Sequence, residues 1–377
     1  MKNNSTNGNG ARTEFVGLDL ADGQSTFIGI DGRGELTEEG KVVSTQTGLK
    51  QAFAGRRRCR IAIEVGTHSP WVSRALIELG HEVIVANPRQ VALIHRNKRK
   101  SDRTDARTLA RLARADVQLL YPIQHRGEQA QVDLALLRAR DALVGSRTLL
   151  INHVRGVVKS SGERLPGCSA AAFARKAAPS IPAALKLALE PLANQITALT
   201  ESIQGYDREI DALIKERYPQ ARGLMQVNGV GPITALVYIL TLEEPARFAQ
   251  SRDVGAYVGL VAARKQTGVS DPELHITKAG DMFLRKILVQ AAHYILGPFG
   301  ADCDLRRWGL RLAGVSSIAG DSQTKGSKQR KKKAVVAVAR KLAVLLHALW
   351  RTGEVYEPFR QAPRKEAAGR PAEARSA

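Results

Sequence analysis

Four acidic residues stand where they could do chemistry together: Asp19, Glu64, Asp102 and Asp105. Asp19 interrupts the apolar run E-F-V-G-L-D-L at 14–20, and Glu64 sits near the end of R-I-A-I-E-V at 60–65. Asp102 and Asp105 are the only acids between Arg96 and Arg114, a stretch that holds eight Lys or Arg. On a helix, 102 and 105 form one stripe with Leu109 and Leu112, so the aspartates begin a face whose leucines seek a core. A carboxylate pair aimed inward through a basic surface is costly unless a cation offsets it. Four carboxylates suit one or two Mg²⁺ ions, with Mn²⁺ as the alternative, and such ions stabilise both attacking and leaving oxygens of a phosphodiester. Plainer readings stand beside this one. Asp102 could be a helix cap, and Asp19 could face water from an edge strand.

The elements around these acids must bring them together. Residues 14–20 and 25–30 read as strands joined by a turn at Asp22-Gly23, and a further turn at 31–34 suggests a meander. Arg60 to Val65 is a strand, Ser69-Pro70 opens a helix with serine as its cap, Gly80 closes it, and Glu82 to Ala86 is the next strand. Strand, helix and strand in so short a span make a crossover, so the two strands should be parallel. Glu64 then lies near the carboxyl end of its strand, where open α/β sheets place their sites.

Beyond this α/β part the chain reads as all-α. Glu128 to Glu163 and Ile181 to Tyr218 are two long amphipathic helices, with Leu136, Leu143, Leu150 and Val154 near heptad spacing in the first. Gly162 to Pro179 reads as their connection, and the pair as a helical hairpin or coiled coil serving as a spacer or as a dimerisation arm. In L-M-Q-V-N-G-V-G-P at 224–232, Gly229, Gly231 and Pro232 make a tight turn between helices. The turn offers backbone N–H groups to a phosphate, although a plain helical turn has the same look. Arg247 to Leu260 is expected to be helical, 261–280 a loop, and Asp281 the cap of a helix with Phe283, Leu284, Ile287, Leu288 and Ala291 inward. Lys325 to Lys333 is a basic cluster before the apolar helix Ala334 to Trp350; it either flanks nucleic acid or is a solvated loop.

The chain has 377 residues and a formal charge of +21, a field that favours polyanions, nucleic acid first. No uninterrupted apolar run is long enough to span a membrane, and the polar start lacks an apolar signal segment. Cys59, Cys168 and Cys303 follow no metal-ligand spacing, so the expected setting is reduced and intracellular, without zinc.

G-L-D-L-A at 17–21, I-E-V-G-T at 63–67, N-P at 87–88 and K-S-D-R-T-D-A-R at 100–107 resemble the DEDD-type transposases of the insertion sequence 110 family. The block from G-V-G-P to I-T-K-A-G-D is similar to that family's second conserved region. The resemblance implies a RuvC-like ribonuclease H fold at 14–125 with Asp19, Glu64, Asp102 and Asp105 as metal-binding acids. It implies a dimerising coiled coil at 126–220 and a C-terminal transposase domain at 221–357, in which the turn at 229–232 reads as a helix–hairpin–helix-like motif; by composition the tails at 1–13 and 358–377 are expected to be disordered. It also implies a serine nucleophile that becomes joined to DNA. The aligned dipeptide here is Thr267-Gly268, so Thr267 is the first candidate and Ser270 the second, and a proline usual before this loop is Ala262. A threonine hydroxyl can attack phosphorus, with its β-methyl crowding the approach. Further implied are DNA partners (element ends and target), a structured guide RNA, a dimer or tetramer, and a prokaryotic cytoplasm beside the nucleoid. The expected nucleic-acid contacts are Arg96, Lys98, Arg99, Lys100, Arg103, Gly229, Gly231, Lys278, Lys331 and Lys332. Two other classes remain open: a junction-resolving nuclease whose acids activate water, and a non-catalytic descendant that only binds.

Overall fold

The computed structural model describes residues 14–87, 101–272, 274–314 and 328–360. Arg96, Lys98, Arg99 and Lys100, and the tails at 1–13 and 361–377, lie outside the described residues. The chain divides after Arg126 into two compact units.

The first unit is a five-stranded sheet in the order β3-β2-β1-β4-β5. Its strands are β1 (Phe15–Asp19), β2 (Gln24–Ile30), β3 (Leu36–Val43), β4 (Arg60–Glu64) and β5 (Glu82–Ala86). β1 pairs antiparallel with β2 and parallel with β4, and β4 pairs parallel with β5. β1 is therefore central, which removes the edge-strand reading of Asp19. β3 and the helix α1 (Gln46–Phe53) had no sequence signal: β3 reads L-T-E-E-G-K-V-V and buries only Val42. A charged strand of this kind suits a sheet edge. The helix α2 (Ser69–Glu78) links β4 to β5 as expected, but Ser69 is not its cap. Its Oγ accepts from Gly66 N and donates to Gly66 O, both at 2.9 Å, and His68 takes the cap position.

Side chains alternate across the sheet, so each face has its own core. Val16, Leu18, Ile61 and Ile63 pack with Leu49, Phe53, Val72 and Leu76 of α1 and α2. The opposite face carries α3 (Asp102–Ala115): Ala62 and Ala86 meet Leu109, Leu112 and Ala113, while Ile28 and Ile30 meet Ala106 and Ala110. Helix and strand touch backbone to backbone at Gly17, where an added Cβ would lie 1.9 Å from Ala106 O and 2.6 Å from Ala110 N.

The second unit is helical. α4 (Glu128–Ser160) and α5 (Lys186–Glu216) run antiparallel, as the pairs Asp133–Arg217, Arg140–Asp207 and Arg147–Thr200 show. At the far end Ile151, Val154 and Val158 pack with Leu189, Ala193 and Ile196, and Phe173 from the connection is fully buried among them. The connection is thus a folded cap. At the near end Leu134, Leu137, Ile210, Leu213 and Ile214 enter one core with α6 (Pro232–Leu242), α7 (Met282–Leu296) and α9 (Lys328–Thr352). There the buried Asp133 accepts from Arg217 and, at 2.7 Å, from Tyr218 Oη, whose pKa is pushed up to about 12 by burial and this bond.

Arg247 to Leu260 is not one helix. It holds a single 3-10 turn ending at Arg247 and a short helix, Asp253–Tyr257. Side-chain bonds break the run: His347, fully buried on α9, meets Ser251 Oγ at 2.8 Å and Pro245 O at 2.9 Å. α8 (Asp304–Ala313) fills the stretch before 315, and residues 358–360 fold back on it, with Asp304 N donating to Pro358 O. The basic cluster from Lys328 onward forms the first turns of α9, not a loop.

Replacing Gly17 with alanine is expected to cost about 3 kcal/mol, because backbone rather than a yielding side chain occupies the space. Chemical denaturation of G17A against wild type measures it, and a loss under about 0.5 kcal/mol would contradict the contact.

Candidate active site

Pairing between β1 and β4 ends at Leu18↔Ile63, so Asp19 and Glu64 are the next residues on two adjacent parallel strands. Asp19 shares its face with Gly17, and Glu64 shares its face with Ala62. That is the face covered by α3. The helix runs opposite to these strands, with Asp102 at its start and Ala113 O accepting from Arg60 at the amino end of β4. The start of α3 therefore lies at the carboxyl edge, where Asp19 and Glu64 end. The fold thus brings Asp19, Glu64 and the helix start that carries Asp102 and Asp105 to one edge of the sheet.

The two helix acids part company there. Asp105 is buried, as the stripe requires, but Asp102 is exposed. Asp102 is the first residue of α3, in the turn before the buried stripe begins. It is not the cap either: Ser101 Oγ accepts from Thr104 N at 3.2 Å. Arg103, in the same turn, pairs with Glu39 at 2.6 Å. The donors are all carboxylate oxygens, the set a hard divalent cation takes. The set fits such an ion by the chemistry of its donors. As they stand, no three His, Cys, Asp or Glu among the described residues close into a ligand group.

In the second unit, the expected loop at 261–280 is a loop pinched into a ribbon by two isolated bridges, Ala262↔Ile276 at its base and Thr267↔Ser270 at its tip. Ala263 N donates to His275 O and Thr277 N to Val261 O, both at 2.9 Å. At its tip Thr267 and Ser270 exchange backbone hydrogen bonds of 3.0 Å across Gly268 and Val269, with Gly268 at φ +55°. Opposed residues of such a pair point the same way. The two candidate hydroxyls thus share one exposed tip. The base is rigid: Gly259 and Gly280 allow backbone contact with Ala279 and Tyr257 that no Cβ could enter. Arg285 locks it by donating to Val258 O at 2.9 Å and Ala279 O at 2.7 Å. Lys278 is exposed and held at φ +53°.

The glycines of the turn before α6 differ. Gly229, at φ +86°, packs on α7, where a Cβ would fall 2.9 Å from Ile295 Cγ1, so its first role is packing. Gly231 stands open at the start of α6, where a Cβ would meet nothing within 4 Å. Lys331 and Lys332 are exposed on α9, whose first turn holds no acid.

Sequence comparison adds to this geometry. The DEDD transposase model of IS110 elements matches residues 16–162, and the model described as "Transposase IS116/IS110/IS902 family" matches 221–298. The chain is 28% identical over 300 residues to the transposase for insertion sequence element IS1111A of Coxiella burnetii, covering 75% of this chain and 78% of that one. It is 29% identical over 248 residues to the transposase for insertion sequence element IS1328 of Yersinia enterocolitica, covering 65% and 73%. With the y4pF/y4sB protein of Sinorhizobium fredii the identity is 30% over 307 residues, covering 78% and 74%. The chain belongs to the IS110 family of transposases.

In this transposase the first matched segment spans the sheet, α3 and α4, and the second runs from before α6 through the ribbon to just past α7. Sequence reasoning passed over Asp22 and His68, which follow Asp19 and Glu64 by three and four residues and bond to each other at 2.8 Å. Among the described residues no helix is long and apolar enough to cross a membrane.

Removing the guanidinium with Arg285→Ala is expected to loosen the ribbon base. Hydrogen bonds from a charged donor are worth about 1.5–3 kcal/mol, so the amides of Ala263 and Thr277 should exchange at least about tenfold faster. Hydrogen exchange reads this directly. Unchanged ribbon protection, or equal loss throughout α7, would contradict it.

Proposed function

We propose that this transposase cuts and rejoins DNA through a metal-dependent transesterification, with its first unit a RuvC-like ribonuclease H fold. The observation that carries the reading is the shared edge: two strand-end acids and the start of an opposed helix on one face. Asp19, Glu64, Asp102 and Asp105 would hold the ion or ions, Mg²⁺ by donor type. When bound, the ion offsets charge on the phosphate undergoing substitution.

The nucleophile is the hydroxyl at the ribbon tip, Thr267 first and Ser270 second. Its oxygen forms a bond to phosphorus as the bond to the departing sugar oxygen breaks, the hydroxyl proton is lost, and the sugar oxygen gains one. The protein–DNA ester keeps the phosphodiester's energy, so attack by another sugar hydroxyl rejoins strands without an outside source. The rigid ribbon base limits the directions from which the hydroxyl can approach, which favours in-line geometry. Lys278, Arg103, Lys331, Lys332 and the open N–H groups beside Gly231 serve the polyanion, together with Arg96, Lys98, Arg99, Lys100 and Gly229. A first turn of α9 crowded with cations opposes the helix dipole, a conflict that bound phosphate relieves.

The family reading supplies the rest of the proposal: element ends and target as DNA partners, a structured guide RNA that reads sequence by pairing, and assembly as a dimer or tetramer through the α4–α5 coiled coil. The site of action is the nucleoid in a prokaryotic cytoplasm. Gripping an RNA duplex needs phosphate and 2′-hydroxyl contacts rather than base readers, which agrees with the charge of +21.

The test is a covalent adduct. Full-length protein is expressed with its flanking element DNA, denatured, and the nucleotide-bearing peptide mapped by mass spectrometry. The label is expected on Thr267; Thr267→Ser should keep it or raise its yield by removing the methyl group. Asp19→Ala and Asp105→Ala should each lower cleavage about a hundredfold or more. Cleavage that survives loss of both hydroxyls, with no adduct, would instead select water as the nucleophile.

A further inference from the structure

The two acids at the strand ends sit past the last backbone tie between their strands. Beyond Leu18↔Ile63 the chains part: Asp19 goes on to pair with Thr26 of β2, while Val65 N donates to Ala86 O beside β5. The β1–β4 ladder sets the spacing of Asp19 and Glu64 only through the pair before them. The loops that follow the two acids are joined by a side-chain bond, His68 Nε2 to Asp22 Oδ1 at 2.8 Å.

That bond joins loops that are each tied down internally. On the β1–β2 side, Ala21 N donates to Ser25 Oγ, Ser44 Oγ donates to Ala21 O, and the two serine hydroxyls meet at 2.8 Å. On the β4–α2 side, Ser69 is fully buried and bonds Gly66 through both N and O. His68 leaves the cap of α2 without a side-chain bond and uses both ring nitrogens elsewhere. Trp71 Nε1 reaches Nδ1 at 3.2 Å, and an indole N–H can only donate. Nδ1 is then the acceptor, the proton sits on Nε2, and Nε2–H donates to the Asp22 carboxylate. The indole also packs edge-to-face on the imidazole, with centroids 6.1 Å apart. Tautomer and ring plane are thus both set by Trp71.

We propose that Asp22, His68 and Trp71 form a positioning clasp that sets the spacing of Asp19 and Glu64 for their cation. The inference rests on the metal-binding reading of those acids. None of the three residues is a ligand. The Asp22 side chain is wholly exposed, so a hydrogen bond from a neutral imidazole there adds little to stability, and its consequence is geometric. Groups that orient metal-binding side chains typically change affinity about 10–100-fold when lost.

The experiment measures Mn²⁺ affinity of the full chain by electron paramagnetic resonance, with thermal midpoints alongside. His68→Phe keeps a ring and removes both bonds; Asp22→Ala removes the acceptor at an exposed site and cannot disturb the core. Each is expected to weaken Mn²⁺ binding about tenfold, at an unchanged midpoint. The double variant should be no worse than either single one, because the pair acts as a unit. His68→Gln, which carries one acceptor and one donor, should stay within about threefold of wild type. Wild-type affinity in H68F and D22A, while Asp19→Ala loses the ion, overturns the clasp and leaves the metal reading standing. Affinity losses that track falling midpoints, or that add in the double variant, overturn it in favour of a general structural role. A wild-type chain that binds no Mn²⁺ and cleaves DNA without divalent ions overturns the metal reading, and the clasp with it.

Discussion

The contact on which the first unit depends is the backbone approach of α3 to β1 at Gly17. A helix normally stands off a sheet by the length of two side chains. Here the strand offers none, and the helix brings Ala106 and Ala110 to the same place. Ala62 and Ala86 on the neighbouring strands, and Ala113 further along α3, continue the small-residue seam. Little apolar area is buried by alanines, so the seam is held by larger neighbours, chiefly Leu109, Leu112 and Ile28. What the seam provides is closeness. It draws the start of α3 down to the strand ends, and the acids on both elements come with it.

The second unit solves a different problem. An exposed ribbon that swung freely would present the Thr267 and Ser270 hydroxyls at its tip in many directions. The base of this one is built from backbone contacts at Gly259 and Gly280 and from one guanidinium donating to two carbonyls. Electrostatics point the other way on α9, where cations gather at the end of a helix that already carries partial positive charge. Such an arrangement is stable in the folded chain because α9 buries Val335, Val338, Ala339, Leu342 and Leu346.

The strands that pack on both faces were legible because apolar residues run through them without interruption, as in I-A-I and V-I-V. β3 was not, since an edge strand exposed on most of its length has no apolar alternation to read. That Asp19 and Glu64 lie on parallel strands and that Asp102 and Asp105 open a helix was legible from position within elements; the split in burial between Asp102 and Asp105 was not, because periodicity puts both on one stripe. The broken helix at 247–260 had helical composition. What interrupts it is tertiary: bonds from His347, far along the chain, to Ser251 and Pro245. The ribbon at 261–277 lacked a signal for a similar reason, as its pairing is between backbone groups and its side chains are mostly polar and exposed.

The hairpin of α4 and α5 has a mechanical consequence. At 1.5 Å per residue, the 31 residues of α5 make an arm about 45 Å long. Its outer end is a separately packed knob around Phe173, and its inner end is continuous with the core of α6, α7 and α9. Two ion pairs bolt α4 to α7: Arg138 to Asp281 at 3.2 Å and Lys286 to Asp141 at 2.7 Å. Asp281 is also the cap of α7, directly after the ribbon returns. The inner end of the arm is therefore joined, through its core and these two pairs, to the helix that starts where the ribbon returns.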